Sequence, residues 1–149
     1  MQTDILKKFV GSYIGVGINH EEQKFNGTFN LQYSAELKSF RITFKATGSQ
    51  GDVFHYEEST LAPSLMQKWT LWNLNSNTPG LAAHELTEAL QTDQAYILTF
   101  TFGDITQTKS FRETVQLSLN SDQSLAYTYS WGMPGGEFKK RSTVQMLKF

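Results

Sequence analysis

The chain has 149 residues, no cysteine, and 13 basic against 14 acidic side chains. That excludes disulfides, thiolate chemistry and cysteine-ligated metals, and it leaves no basic surplus for nucleic acid or an anionic membrane surface. A chain of this length reads as one domain over residues 1–149. Such a domain buries roughly 68–70% of its unfolded surface and needs no staple. No stretch approaches the ~20 apolar residues of a membrane span. The first residues lack a basic region followed by about 7–15 apolar ones, which argues against export and for a cytoplasmic protein. Aromatic residues make up 13% of the chain, a share that suits pleated strands.

Thr3 to Phe9 reads as a short helix. Thr3 is the N-cap, Asp4 suits the first turn, and Lys7 and Lys8 suit the last. Ile5, Leu6 and Phe9 give it an apolar side that would cap or plug a barrel end. Val10 to Asn19 is a strand broken by Gly11, Gly15 and Gly17, as a strongly curved strand requires. Phe25 to Leu37 alternates cleanly, with Phe25, Gly27, Phe29, Leu31, Tyr33, Ala35 and Leu37 on one face. Phe40, Ile42, Phe44 and Ala46 repeat the pattern after a turn near Lys38-Ser39, and Gly48 to Gly51 forms the next turn. Alternation of this kind belongs to antiparallel sheets with one wet face.

Asp52 to Leu61 is a less regular strand, ended by Pro63. Met66 to Leu74 is the next, carrying Trp69 and Trp72, and Asn73 to Gly80 holds a polar, turn-rich loop. Leu81 to Ala89 has good helical propensity but also alternates. Its neighbours are strands, so it is assigned as one. The last third is a meander of Ala95–Phe102, Phe111–Leu119, Leu125–Trp131 and Phe138–Leu147, with turn signals in each gap. Glu113 intrudes on the apolar face of the second of these. The predicted fold is all-β: an antiparallel up-and-down barrel of about nine or ten strands, because open sheets of that size curl, split or close.

Phe9-Val-Gly-Ser-Tyr-Ile-Gly-Val-Gly17 carries a family resemblance. A Gly-x-aromatic opening strand after a short helix resembles the calycins, the lipocalin and fatty-acid-binding barrels. The fuller Gly11-x-Tyr13-x-Gly15-x-Gly17 is similar to the nitrobindin-like barrels and to the bacterial domain-of-unknown-function family 1579, which commonly shows Trp where Tyr13 stands. Met133-Pro134-Gly135-Gly136-Glu137-Phe138-Lys139 resembles the last hairpin of that family. Trp69-Thr-Leu-Trp72-Asn73 falls where its central Trp-bearing strand is expected. The resemblance implies a calycin-like barrel from a bacterium and brings no established activity. Nitrobindin-like barrels hold haem through a histidine near the C-terminal end. Phe138 to Phe149 contains none, so haem here would need His20, His55 or His84, and no cofactor is expected.

Tyr127, Tyr129 and Trp131 form an aromatic ladder on one strand face. With Tyr13, Trp72 and His55 they make the expected ligand-binding set. The expected partner is a small hydrophobic molecule in the barrel interior, and the open alternative is an interior packed on itself. Lys140 and Ser142 interrupt the apolar face of the last strand. One of them, or Arg141 if a bulge shifts the parity, would meet a ligand carboxylate, as basic residues do in the fatty-acid-binding barrels. The competing reading is an enzyme, an isomerase or hydrolase. His55 and Glu57 point the same way from one strand and form a His–carboxylate pair able to shuttle protons.

Overall fold

In the computed structural model, residues 2–149 form a short helix, α1 (Gln2–Lys8), and ten strands. These are β1 (Gly11–Ile18), β2 (Lys24–Ser34), β3 (Ser39–Thr47), β4 (Val53–Pro63) and β5 (Trp69–Asn75), then β6 (Thr78–Gln91), β7 (Ala95–Phe102), β8 (Arg112–Asn120), β9 (Leu125–Gly132) and β10 (Lys139–Lys148). Each strand pairs antiparallel with its sequence neighbour, and β1 pairs with β10 to close the barrel. The Leu81–Ala89 segment is strand, inside β6, paired with β5 and β7. Its propensity for helix yields to two neighbouring ladders that need a partner.

Closure depends on the glycines of β1. A Cβ on Gly15 would fall 1.9 Å from the Gln145 carbonyl oxygen, and one on Gly17 would fall 2.4 Å from the Phe25 ring. Only residues without side chains let β1 and β10 approach this closely while the strand bends.

The interior holds the alternating apolar residues read from the sequence. Phe29, Leu31, Ile42, Leu98, Phe100, Val115 and Leu117 are each 1% exposed. Helix α1 closes one end. Leu6 and Phe9 are buried in the core, Lys7 lies 4.5 Å over the Tyr33 ring, and the Tyr13 hydroxyl donates to the Phe9 carbonyl at 2.7 Å. The other end carries the β1–β2, β3–β4, β5–β6, β7–β8 and β9–β10 connections and has no helix over it.

Several boundaries differ from the sequence reading. β2 stops at Ser34, and Ala35 and Leu37 lie exposed in a turn where Lys38 takes φ 50°. Met66 belongs to the Ser64–Lys68 turn, with Gln67 at φ 62°. Four hairpins place a non-glycine residue in the left-handed region, at Glu22, Lys38, Gln67 and Gln123. Asn75, read as loop, lies in β5, and Asn73 in the same strand is 2% exposed inside the barrel.

Candidate functional site

A cavity of about 420 Å³ opens at the end opposite α1. Phe25, Phe44, Ala46 and Phe54 give it apolar walls, and Tyr127, Tyr129 and Trp131 form one side. His20, Glu21, Asn77 and Met133 come from the connections around the mouth, and Arg141 comes from the start of β10. Stacking of Phe44 on Tyr127, centroids 4.4 Å apart, fixes the deeper part of the wall.

Four of the six expected ligand residues meet here: His55, Tyr127, Tyr129 and Trp131. Tyr13 is fully buried toward the α1 end, with its hydroxyl committed to Phe9. Trp72 stands outside the barrel at 38% exposure. On β5 the inward positions are Leu71 and Asn73, so strand alternation sends Trp72 outward.

Behind the aromatic wall lie two buried carboxylates, Glu57 at 1% exposure and Glu113 at 0%. Glu57 accepts from the Tyr127 hydroxyl at 2.5 Å and from Ser59 Oγ at 2.7 Å, and His55 Nε2 lies 3.4 Å away. Burial pushes the Glu57 carboxyl up. The hydrogen bonds from His55, Tyr127 and Ser59 outweigh that and hold it below the usual carboxylate range. Glu113 accepts from the Tyr129 hydroxyl and pairs with His84 Nε2 at 2.7 Å. Burial, reinforced by the neighbouring carboxylates, pushes both phenols well above the usual tyrosine range. The tyrosines therefore present neutral rings to the cavity and point their hydroxyls into the wall.

The orientation of His55 follows from its neighbours. Asn77 Nδ2 donates to the Phe54 carbonyl oxygen at 3.2 Å. A carbonyl oxygen only accepts, so this assigns the amide nitrogen rather than the amide oxygen to that side. The same nitrogen lies 3.1 Å from His55 Nδ1. Nδ1 therefore accepts, and the ring proton sits on Nε2, facing Glu57. A ring of side chains closes through these atoms. Glu57 binds Ser59, Ser59 accepts from Asn73 at 3.0 Å, and Asn73 accepts from Asn75 at 2.7 Å. Asn75 Oδ1 then accepts the Asn77 backbone N–H at 2.9 Å, which returns the ring to His55.

Two arginines fix the opposite lip. Arg112, 2% exposed, donates to the carbonyls of Met133 at 2.8 Å and Gly136 at 2.7 Å. A Cβ on Gly132 would meet the Arg112 guanidinium carbon at 2.6 Å, which is why glycine stands there. The pairing of β9 with β10 slips between Lys140 and Ser142, and this bulge brings Arg141 to the cavity. Arg141 donates to the carbonyls of Trp131 at 3.1 Å and Glu137 at 2.9 Å, and it lies 4.0 Å over the Trp131 ring. Lys140 is exposed.

Of the three histidines, His20 and His55 line the cavity, and His84 is sealed behind Glu113. Among the described residues, no three His, Asp or Glu side chains converge as a metal site requires. Among the described residues, no helix is long and apolar enough to cross a membrane. Sequence reasoning missed His84, Asn73, Asn77 and Arg112. The one available signal was Glu113, a carboxylate on an apolar strand face, which demanded buried partners.

No family model matches the chain, and no curated protein matches it. Solved structures do. The crystal structure of Rv2717c from M. tuberculosis superposes with a TM-score of 0.76 at 14% identity, over 98% of this chain and 96% of that one. A redesigned β-barrel, mFAP1, bound to DFHBI, matches with a TM-score of 0.49 at 12% identity, over 96% of this chain and 97% of that one. The first likeness speaks for the fold alone, a closed antiparallel β-barrel. The second is too distant to bear on this chain.

Proposed function

We propose that this barrel binds a small, mostly apolar molecule in the cavity at its open end. The observation that carries the reading is the cavity itself. Its volume, about 420 Å³, falls in the range of roughly 300–1,000 Å³ typical of small-molecule sites, and its walls are aromatic with a few convergent polar groups. Tyr127, Tyr129, Trp131 and His55 form the binding surface; Tyr13 and Trp72 support the barrel from elsewhere. The glycine-broken β1 and the Met133–Lys139 hairpin support placing the chain with family 1579, as one calycin-like domain in a bacterial cytoplasm. The test uses the neutral dye N-phenyl-1-naphthylamine. Its fluorescence rises on entering the cavity, and Trp131→Ala together with Ala46→Trp weakens that binding. A dye that stays dark with the folded protein ends the reading.

A specific contact favours a second reading, proton-transfer chemistry at His55. The imidazole lies beside both Glu57 and the cavity. Both of its nitrogens are engaged, so it serves as a base only after Asn77 lets go. An isomerase or hydrolase of this kind loses turnover in His55→Ala while keeping its fold. Turnover retained in that variant removes the reading.

A further inference from the structure

We propose that the His55–Asn77 contact is a pH-operated latch on the cavity mouth, which loosens the β5–β6 tip when His55 takes a second proton. The proposal rests on the ligand-binding reading only for its effect on affinity.

The chemistry follows from the two assigned nitrogens. His55 Nδ1 accepts from Asn77, and the second proton of an imidazole goes to this atom. Protonation then sets N–H against N–H across a contact of 3.1 Å. Turning the Asn77 amide over cures that clash but brings its oxygen against the Phe54 carbonyl oxygen. Either way one hydrogen bond is lost, and neither rotamer of the amide satisfies both neighbours. Glu57 on the other side of the ring receives the new charge at 3.4 Å, so protonation pulls His55 toward the wall and away from the tip.

What moves is limited by the ties that remain. The Ser76 N–H donates to the Tyr56 carbonyl at 2.9 Å, and Ser76 Oγ accepts the Tyr56 N–H at 3.0 Å. These bonds hinge the hairpin to β4. The Asn77 and Thr78 backbone N–H groups also stay on Asn75 Oδ1, at 2.9 Å each, so the released part is the Asn77 side chain, and Asn77 and Thr78 both line the cavity. The titratable and aromatic groups facing His55 are Glu57 on β4, Tyr129 on β9 with Glu113 behind it, and Phe44 on β3. Tyr129 and Phe44 each lie 5.9 Å from it, ring to ring. His20, Glu21 and Arg141 share the mouth. Of these, His20 is the other imidazole at the mouth and needs its own control.

The test follows the Asn77 side-chain amide and Thr78 backbone resonances by NMR from about pH 8 to pH 5, the span in which histidines change charge. Both move with the midpoint of the His55 ring signals in the native chain and in His20→Gln. Both stay fixed in His55→Gln, whose amide has no charge to gain. Dye titrations accompany them. N-phenyl-1-naphthylamine binds about three- to tenfold more weakly at the acid end, as the loss of one neutral hydrogen bond predicts. The pH dependence disappears in His55→Gln and in Asn77→Ala. Asn77 resonances that ignore the His55 midpoint, or that follow His20, overturn the latch whether or not the dye binds. A dye that fails to bind at pH 8 sinks the ligand reading and leaves the NMR result to decide the latch.

Discussion

Two His–Glu–Tyr clusters stand side by side in the barrel wall: His55–Glu57–Tyr127 and His84–Glu113–Tyr129. Each places a buried carboxylate between an imidazole and a phenol from β9. They differ in the second imidazole nitrogen. His55 Nδ1 accepts from Asn77 at an exposed hairpin tip, whereas buried His84 Nδ1 has no hydrogen-bond partner among the described residues. The same three side chains thus serve as an adjustable contact at the mouth and as a fixed brace in the wall. What separates the roles is whether the histidine has a partner that water can reach.

The largest expected effect tests the brace. His84→Ala leaves Glu113 buried with only the Tyr129 phenol and opens a void, at a cost of about 3–5 kcal/mol in urea unfolding. His55→Ala costs only about 1–2 kcal/mol, because Ser59 and Tyr127 still hold Glu57. Equal costs would erase the distinction between the clusters. Arg112→Met comes next. It frees the Met133 and Gly136 carbonyls, costs about 2–3 kcal/mol, and speeds amide exchange in the β9–β10 tip while leaving Asn77 unchanged.

Tyr127→Phe and Tyr129→Phe each remove one donor to a buried carboxylate, for about 1.5–3 kcal/mol apiece in urea unfolding.

The pH profile of stability follows from the same groups. Glu57 is held low when folded, so its contribution is present above the ordinary carboxylate value of 4.5. It is lost as pH falls below that, by up to about 1.4 kcal/mol per pH unit. Tyr127 and Tyr129 are held high, so their contribution is present below 10.0 and is lost as pH climbs past it. Urea midpoints across pH show both limbs, and Glu57→Gln flattens the acid one. The smallest effect is that of Trp72→Ala, which leaves dye binding unchanged because the ring lies outside the barrel.

The barrel was legible because its signal is repeated. Phe25 to Tyr33 and Phe40 to Ala46 alternate without error, and ten strands in succession leave closure as the natural outcome. The site was legible on β9, where Tyr127, Tyr129 and Trp131 share one face. The polar wall behind it was not. His84 and Glu113 are separated by 29 positions, and the intervening β7 carries no mark that they meet. Asn73 and Asn77 carry the composition of a loop, and only the β4–β5 register turns Asn73 inward. The positive φ of Glu22, Lys38, Gln67 and Gln123 was equally silent, since the usual glycine is missing there.

The seam between β1 and β10 also sets a folding order. Nine of the ten ladders join strands adjacent in sequence and form by local zippering. The tenth pairs Ile14 with Leu147, the longest sequence separation of any ladder in the barrel. Loop closure over that span is the slowest step expected of the chain. Gly15 and Gly17 lie on that seam. Substitutions there retard folding more than they speed unfolding if the seam is already docked in the transition state, and do the reverse if it closes afterwards.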